Sequence, residues 1–69
     1  PLTVSIWPNP ATAEVNIQHA GVPYRIYDEA GRLMRNWSQD ASVNTTQWPV
    51  GTYVIACADG ANARFAVMR

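Results

Sequence analysis

Few groups in this chain could do chemistry. His19 is its single histidine and Cys57 its single cysteine. Acid–base or nucleophilic work needs a base or nucleophile within hydrogen-bond reach of a partner. His19 precedes the loop sequence Ala-Gly-Val-Pro and reads as a solvated residue at a strand end. Cys57 lies in the most apolar stretch with no cation near it in sequence, which fits a small buried hydrophobe better than a reactive thiolate. A structural zinc site asks for about four ligands. His19 and Cys57 are the only soft ones, so no metal is expected. Asp28, Glu29, Asp40 and Asp59 fall in expected turns, where aspartate bonds to nearby backbone, so a carboxylate pair for glycoside chemistry finds little support. The expectation is a domain without catalytic residues or cofactors. "NWS" at Asn36 and "NTT" at Asn44 match the N-glycosylation pattern, which matters only in a eukaryotic secretory pathway. Trp7, Trp37 and Trp48 are many tryptophans for this length. One or two are expected in the core, and the alternative use is a platform for stacking a sugar or a partner.

Size and charge narrow the classes further. With 69 residues the chain is one domain at most. A core of this size supplies roughly 3–5 kcal/mol net, and a single cysteine allows no internal disulfide. The net charge is zero and lysine is absent, which argues against a nucleic-acid binder. The longest unbroken apolar run, 53–58, is far short of the about 20 residues a spanning helix needs. The start "PLTVSIW" lacks the basic and apolar regions of a signal peptide. A chain that opens on Pro1 reads as a single module, 1–69, taken from a larger protein.

What positions these residues is a set of short strands. Alternating apolar and polar residues predict strands at 3–7, 14–18, 24–28, 32–37 and 43–46. Two more follow at 52–58, apolar on both faces, and 63–68. "PNP" ends the first strand because proline donates no ladder hydrogen bond. It reads as a corner where the chain steps between sheets. "DEAG" predicts a tight hairpin with Gly31 in the left-handed position, and "DG" at Asp59 and Gly60 a two-residue hairpin turn. In "WPVG", Pro49 presets a turn and Gly51 can take positive φ. Val4, Ile6, Val15, Ile17, Tyr24, Ile26, Leu33, Tyr53, Ile55, Phe65 and Val67 are the expected core. The fold class that follows is all-β: a seven-stranded antiparallel Ig-like β-sandwich.

Four stretches, in order, carry a family resemblance: "IWPNPATAEVNI", "YRIYDEAGRLMR", "QWPVGTYVIACADG" and "ARFAVMR". Together they resemble the C-terminal sorting domain of type IX secretion cargo, a family of Bacteroidetes-type Gram-negative bacteria. Pro8, Asn9 and Pro10 fit the first motif, and Asp28, Gly31, Arg32 and Leu33 the second. Pro49, Gly51 and Tyr53 fit the third, and Phe65, Val67 and Arg69 the last. Trp48 stands where the family usually has leucine, the ending has arginine but no lysine, and the last hairpin is alanine-rich.

The resemblance implies a non-catalytic transport address. Cargo would cross the inner membrane by a separate signal, and the folded domain would direct it through the outer-membrane translocon to the cell surface or beyond. The implied partners are an outer-membrane β-barrel shuttle and a sortase-like cysteine peptidase, with the domain either cleaved off or retained as a surface dock. The implied readout surface is the last hairpin, 52–69, positioned by the turn at 49–51; Pro49, Gly51, Tyr53, Phe65, Val67 and Arg69 are its recognition candidates. A terminal strand at a sheet edge could also recruit a partner strand or a second copy. The alternatives are an adhesive or carbohydrate-binding sandwich using exposed tryptophans, and a plain spacer.

Overall fold

A computed structural model describes residues 4–19 and 21–68. Its strands are β1 (Ser5–Trp7), β2 (Glu14–Gln18), β3 (Tyr24–Asp28), β4 (Leu33–Ser38), β5 (Ser42–Asn44), β6 (Gly51–Cys57) and β7 (Asn62–Val67). They form two antiparallel sheets, one ordered β1-β2-β5 and the other β4-β3-β6-β7. The alternation of β2 sends Val15 and Ile17 inward, and that of β6 sends Tyr53, Ile55 and Cys57 inward. With Tyr24, Ile26, Val43, Phe65 and Val67 they form one core shared by both sheets. Trp48 packs against this core, whereas Trp7 and Trp37 stay about half exposed.

One expectation about the core is corrected. Val4, just before β1, and Ile6 within it are partly buried and pack against the core. Leu33, however, is 45% exposed. The β3–β4 pairing shifts register between Tyr24 and Ile26 and again between Ile26 and Tyr27. Leu33 pairs with Tyr27, whose neighbour Ile26 is a residue of β3 that faces the core, and the apolar residue of β4 that packs against the core is Met34.

The Pro-Asn-Pro corner is also placed differently. β1 and β2 pair with each other in one sheet, so the chain does not change sheets there. Instead the end of this segment reaches across to the other sheet. Ala11 bridges Val67 in parallel: its N–H donates to the Ala66 carbonyl at 2.8 Å, and its carbonyl accepts from the Met68 N–H at 2.8 Å. Asn9 Oδ1 accepts the Ala66 N–H at 3.0 Å. Both X-Pro bonds, Trp7–Pro8 and Asn9–Pro10, are cis. The hydrogen bonds of Ala11 and Asn9 clasp the segment to the outer edge of β7, and Ala11 is fully buried.

The two tight hairpins share one design. In the first, Gly31 N–H donates to the Asp28 carbonyl and Asp28 N–H to the Arg32 carbonyl, both at 2.9 Å. In the second, Gly60 N–H donates to the Cys57 carbonyl at 3.0 Å and Cys57 N–H to the Ala61 carbonyl at 2.8 Å. Each is a turn followed by a left-handed glycine, Gly31 at φ 87° and Gly60 at φ 97°. The second loop therefore spans Ala58, Asp59 and Gly60, one residue more than the expected two-residue turn. Gly51 is corrected too: it does not have positive φ, and it opens β6 opposite Val67. A β-carbon there would lie 2.9 Å from Glu29 Oε1, the end of a flexible side chain. Gly31→Ala should thus cost about 1–2 kcal/mol through its backbone alone, while Gly51→Ala should stay within roughly 0.5 kcal/mol. Urea denaturation of the pair checks the contrast.

Candidate functional site

The last hairpin, β6–β7, shows which of its residues a partner could touch. Tyr53, Phe65 and Val67 face the core and are essentially buried. The Tyr53 hydroxyl donates back to the Pro49 carbonyl. The Trp48 and Tyr53 rings lie 5.1 Å apart, and the Tyr53 and Phe65 rings stack at 5.6 Å. The Trp-Pro-x-Gly-x-Tyr run thus ties the start of β6 to the core. In this fold the side chains of the three buried residues hold the hairpin from inside. Pro49 is exposed and Gly51 half-buried. Arg69 lies outside the described residues.

The exposed part is the outer face of the four-stranded sheet. Register sets Tyr27 of β3 beside Val54 of β6, and Val54 beside Arg64 of β7. With Thr52, Asp28, Glu29 and Gly31 they line an open groove of about 530 Å³. Farther along this face the Arg25 guanidinium sits 4.1 Å from the centre of the Trp37 ring, and Arg25 Nη1 donates to Tyr27 Oη at 3.3 Å. At the end of the hairpin, Val50 and Met68 flank the Gly51–Val67 pair and are more than half exposed.

Of the motif positions, Asn9 and Asp28 are polar and Gly31 is a turn glycine, and each has a local task. Asn9 pins β7, as described. Asp28 Oδ1 accepts the N–H groups of Ala30 at 3.0 Å and Arg32 at 2.8 Å, while Oδ2 accepts from Arg32 Nε at 3.1 Å. The Arg32 backbone N–H, above all, holds the Asp28 carboxyl below its ordinary range. Asp59 is lowered likewise, first by the Ala61 N–H and then by the His19 ring. A depressed folded-state value means stability that is complete above the unfolded value of about 3.9 and is lost as pH falls through the folded one. Asp28→Asn should therefore weaken the domain at neutral pH and make no difference once the wild-type carboxyl is protonated. Denaturation midpoints from pH 7 down to about 2 check this.

Sequence reasoning missed one cluster. His19 is not a freely solvated strand end: its side chain is 15% exposed, and Nε2 lies 2.8 Å from Asp59 Oδ2. Ligand atoms of His19, Cys57 and Asp59 all lie within 4.8 Å of one another. No local motif announces this, because the residues come from the end of β2, the end of β6 and the second hairpin loop. The cluster is not set up as a nucleophile. Cys57 is buried, and burial, with the Asp59 charge adding to it, pushes its thiol up, away from the thiolate a nucleophile needs.

Comparison with known proteins falls on the whole of this architecture. No curated protein and no solved structure matches the chain. The family model described as "Secretion system C-terminal sorting domain" matches residues 5–67. Those bounds are the first residue of β1 and the last of β7, so the match takes in the Pro-Asn-Pro clasp, both glycine hairpins and the Trp48–Tyr53 anchor. The chain belongs to the secretion system C-terminal sorting domain family, the sorting signals of type IX secretion.

Proposed function

We propose that this domain is a folded export address that takes an attached cargo protein through the type IX outer-membrane translocon to the cell surface or the medium. The observation that carries the reading is the family match from the first strand to the last. An outer-membrane β-barrel shuttle would receive the domain, and a sortase-like cysteine peptidase would cleave it off unless it is retained as a surface dock. Domains of this family are sorting signals rather than catalysts, and the buried, raised thiol of Cys57 agrees with that. The strand order, and the Tyr53 hydroxyl bonded back to Pro49 near the start of β6, support an immunoglobulin-like form for the sandwich.

Recognition falls to what the hairpin exposes: the groove between Tyr27, Val54 and Arg64, and the Val50–Met68 end. Strand addition along β7, by a partner or a second copy, is limited by the clasp on Ala66 and Met68. In an antiparallel ladder alternate residues face outward, so Asn62 and Arg64 are the positions left to pair. The test fuses the domain behind a reporter that already reaches the periplasm, in a strain with the type IX machinery. Surface delivery is the expected result. A reporter that stays periplasmic would overturn the reading and favour the adhesive alternative, which rests on half-exposed Trp7 and Trp37.

A further inference from the structure

The geometry points to a second, unrelated site: His19, Cys57 and Asp59 form a three-ligand pocket for a divalent transition-metal ion, zinc(II) by preference. Three parts of the chain that are far apart in sequence supply one donor each. The His19 and Asp59 atoms are 2.8 Å apart across 40 positions, and the Cys57 sulfur completes a triangle no wider than 4.8 Å. Zinc–ligand bonds of about 2.0–2.3 Å at tetrahedral angles set donor–donor separations of roughly 3.3–3.6 Å. The triangle reaches that geometry if the histidine and carboxylate part slightly and the sulfur closes in.

The donors are held from behind. Asp59 Oδ1 accepts the Ala61 N–H at 3.0 Å, which fixes the carboxylate and leaves Oδ2 toward the site. Such an orienting bond is the usual support of a metal ligand. Cys57 is fixed by both of its backbone groups, which bond to Ala61 and Gly60 across the hairpin. His19 is tethered by its carbonyl, which accepts the Val22 N–H at 3.3 Å. Nitrogen, sulfur and oxygen donors together suit a borderline ion, not magnesium or calcium. A thiolate and a carboxylate would balance its two charges. His19 and Asp59 keep 15% and 31% of their side chains exposed, which leaves an entry path and room for water as a fourth ligand. The sequence alone hides the site because only two of its donors are soft and the third sits in a turn, where aspartate is ordinary.

Cobalt(II) titration of the purified domain reads this directly. The chain has one cysteine, so a thiolate-to-cobalt charge-transfer band in the near ultraviolet can come only from Cys57. The expected result is that band, visible bands of tetrahedral cobalt, one ion per chain, and loss of all of them when zinc is added. Cys57→Ser should abolish the charge-transfer band. His19→Gln and Asp59→Asn should each weaken cobalt binding about tenfold or more, on the scale seen when metal-site groups are removed. Melting of each metal-free variant shows whether it still folds; if one does not, the wild-type band and stoichiometry decide by themselves. Absence of the band in the wild type, or one ion per two chains, would overturn the site and leave a plain His19–Asp59 pair beside a buried thiol. Neither outcome bears on export, so this site and the sorting role stand or fall separately.

Discussion

Phe65→Ala will leave the domain largely unfolded at room temperature. Phe65 is 2% exposed and pairs directly with Tyr53, whose ring it stacks on. Tyr53 in turn carries Trp48 and the bond to Pro49. Truncating a buried phenylalanine costs about 3–5 kcal/mol. A domain this small has roughly 3–5 kcal/mol in all, so one substitution removes most of the folded population. Phe65→Leu keeps most of the buried volume and should leave a folded protein with a lower midpoint. Circular dichroism with urea titration separates the two. A cooperative transition for Phe65→Ala near the wild-type midpoint would mean that the aromatic stack contributes far less than its burial implies. Export of a reporter should fail with Phe65→Ala, but through the fold, so that loss says nothing about recognition.

The second large effect separates recognition from folding. Val50→Asp combined with Met68→Asp should leave melting nearly unchanged while surface delivery falls about tenfold or more. Both side chains are more than half exposed, 61% and 52%, so the fold loses little burial with them. Apolar anchors at the centre of an interface cost more than about 1 kcal/mol each when removed, and about 1.4 kcal/mol is a factor of ten. Arg64→Glu probes the groove in the same way, and Arg69→Glu tests the charge at the end of the sequence. Unchanged delivery with unchanged melting in all of these variants would move the recognition surface away from the last hairpin.

The strands were legible where the alternation is strict. β2 and β3 match the expected 14–18 and 24–28 residue for residue. Reading failed where the facing of a strand, a small residue or a distant contact decides. Leu33 follows the apolar pattern, yet it lies opposite Tyr27 on the outer side, and its neighbour Met34 packs against the core instead. Val43 is buried in a three-residue strand too short to show a period. Ala11 is buried by its bridge to Val67, which nothing beside it in the sequence predicts. Gly51 sits in a sequence that reads as a turn. The turn closes earlier, however, where the Trp48 N–H donates to the Thr45 carbonyl, and Gly51 is already in the strand. The site was legible in a different sense. The motif positions stood out, but a motif does not separate residues a fold requires from residues a partner touches. Tyr53, Phe65 and Val67 belong to the first kind by burial.

The parallel bridge between Ala11 and Val67 also decides how the domain bears a pull. A sorting domain at the end of its cargo can be drawn between that cargo and whatever grips its last strand. Tension between the two ends then runs along the bridged segments in opposite directions. It loads the Ala11–Ala66, Met68–Ala11 and Ala66–Asn9 bonds side by side, as a shear. Bonds loaded together must break together, whereas a hairpin opened from its end gives way one rung at a time. The clasp is therefore a mechanical latch, and Asn9→Ala should lower the force at which the domain yields in single-molecule pulling by a larger fraction than it lowers the unfolding free energy.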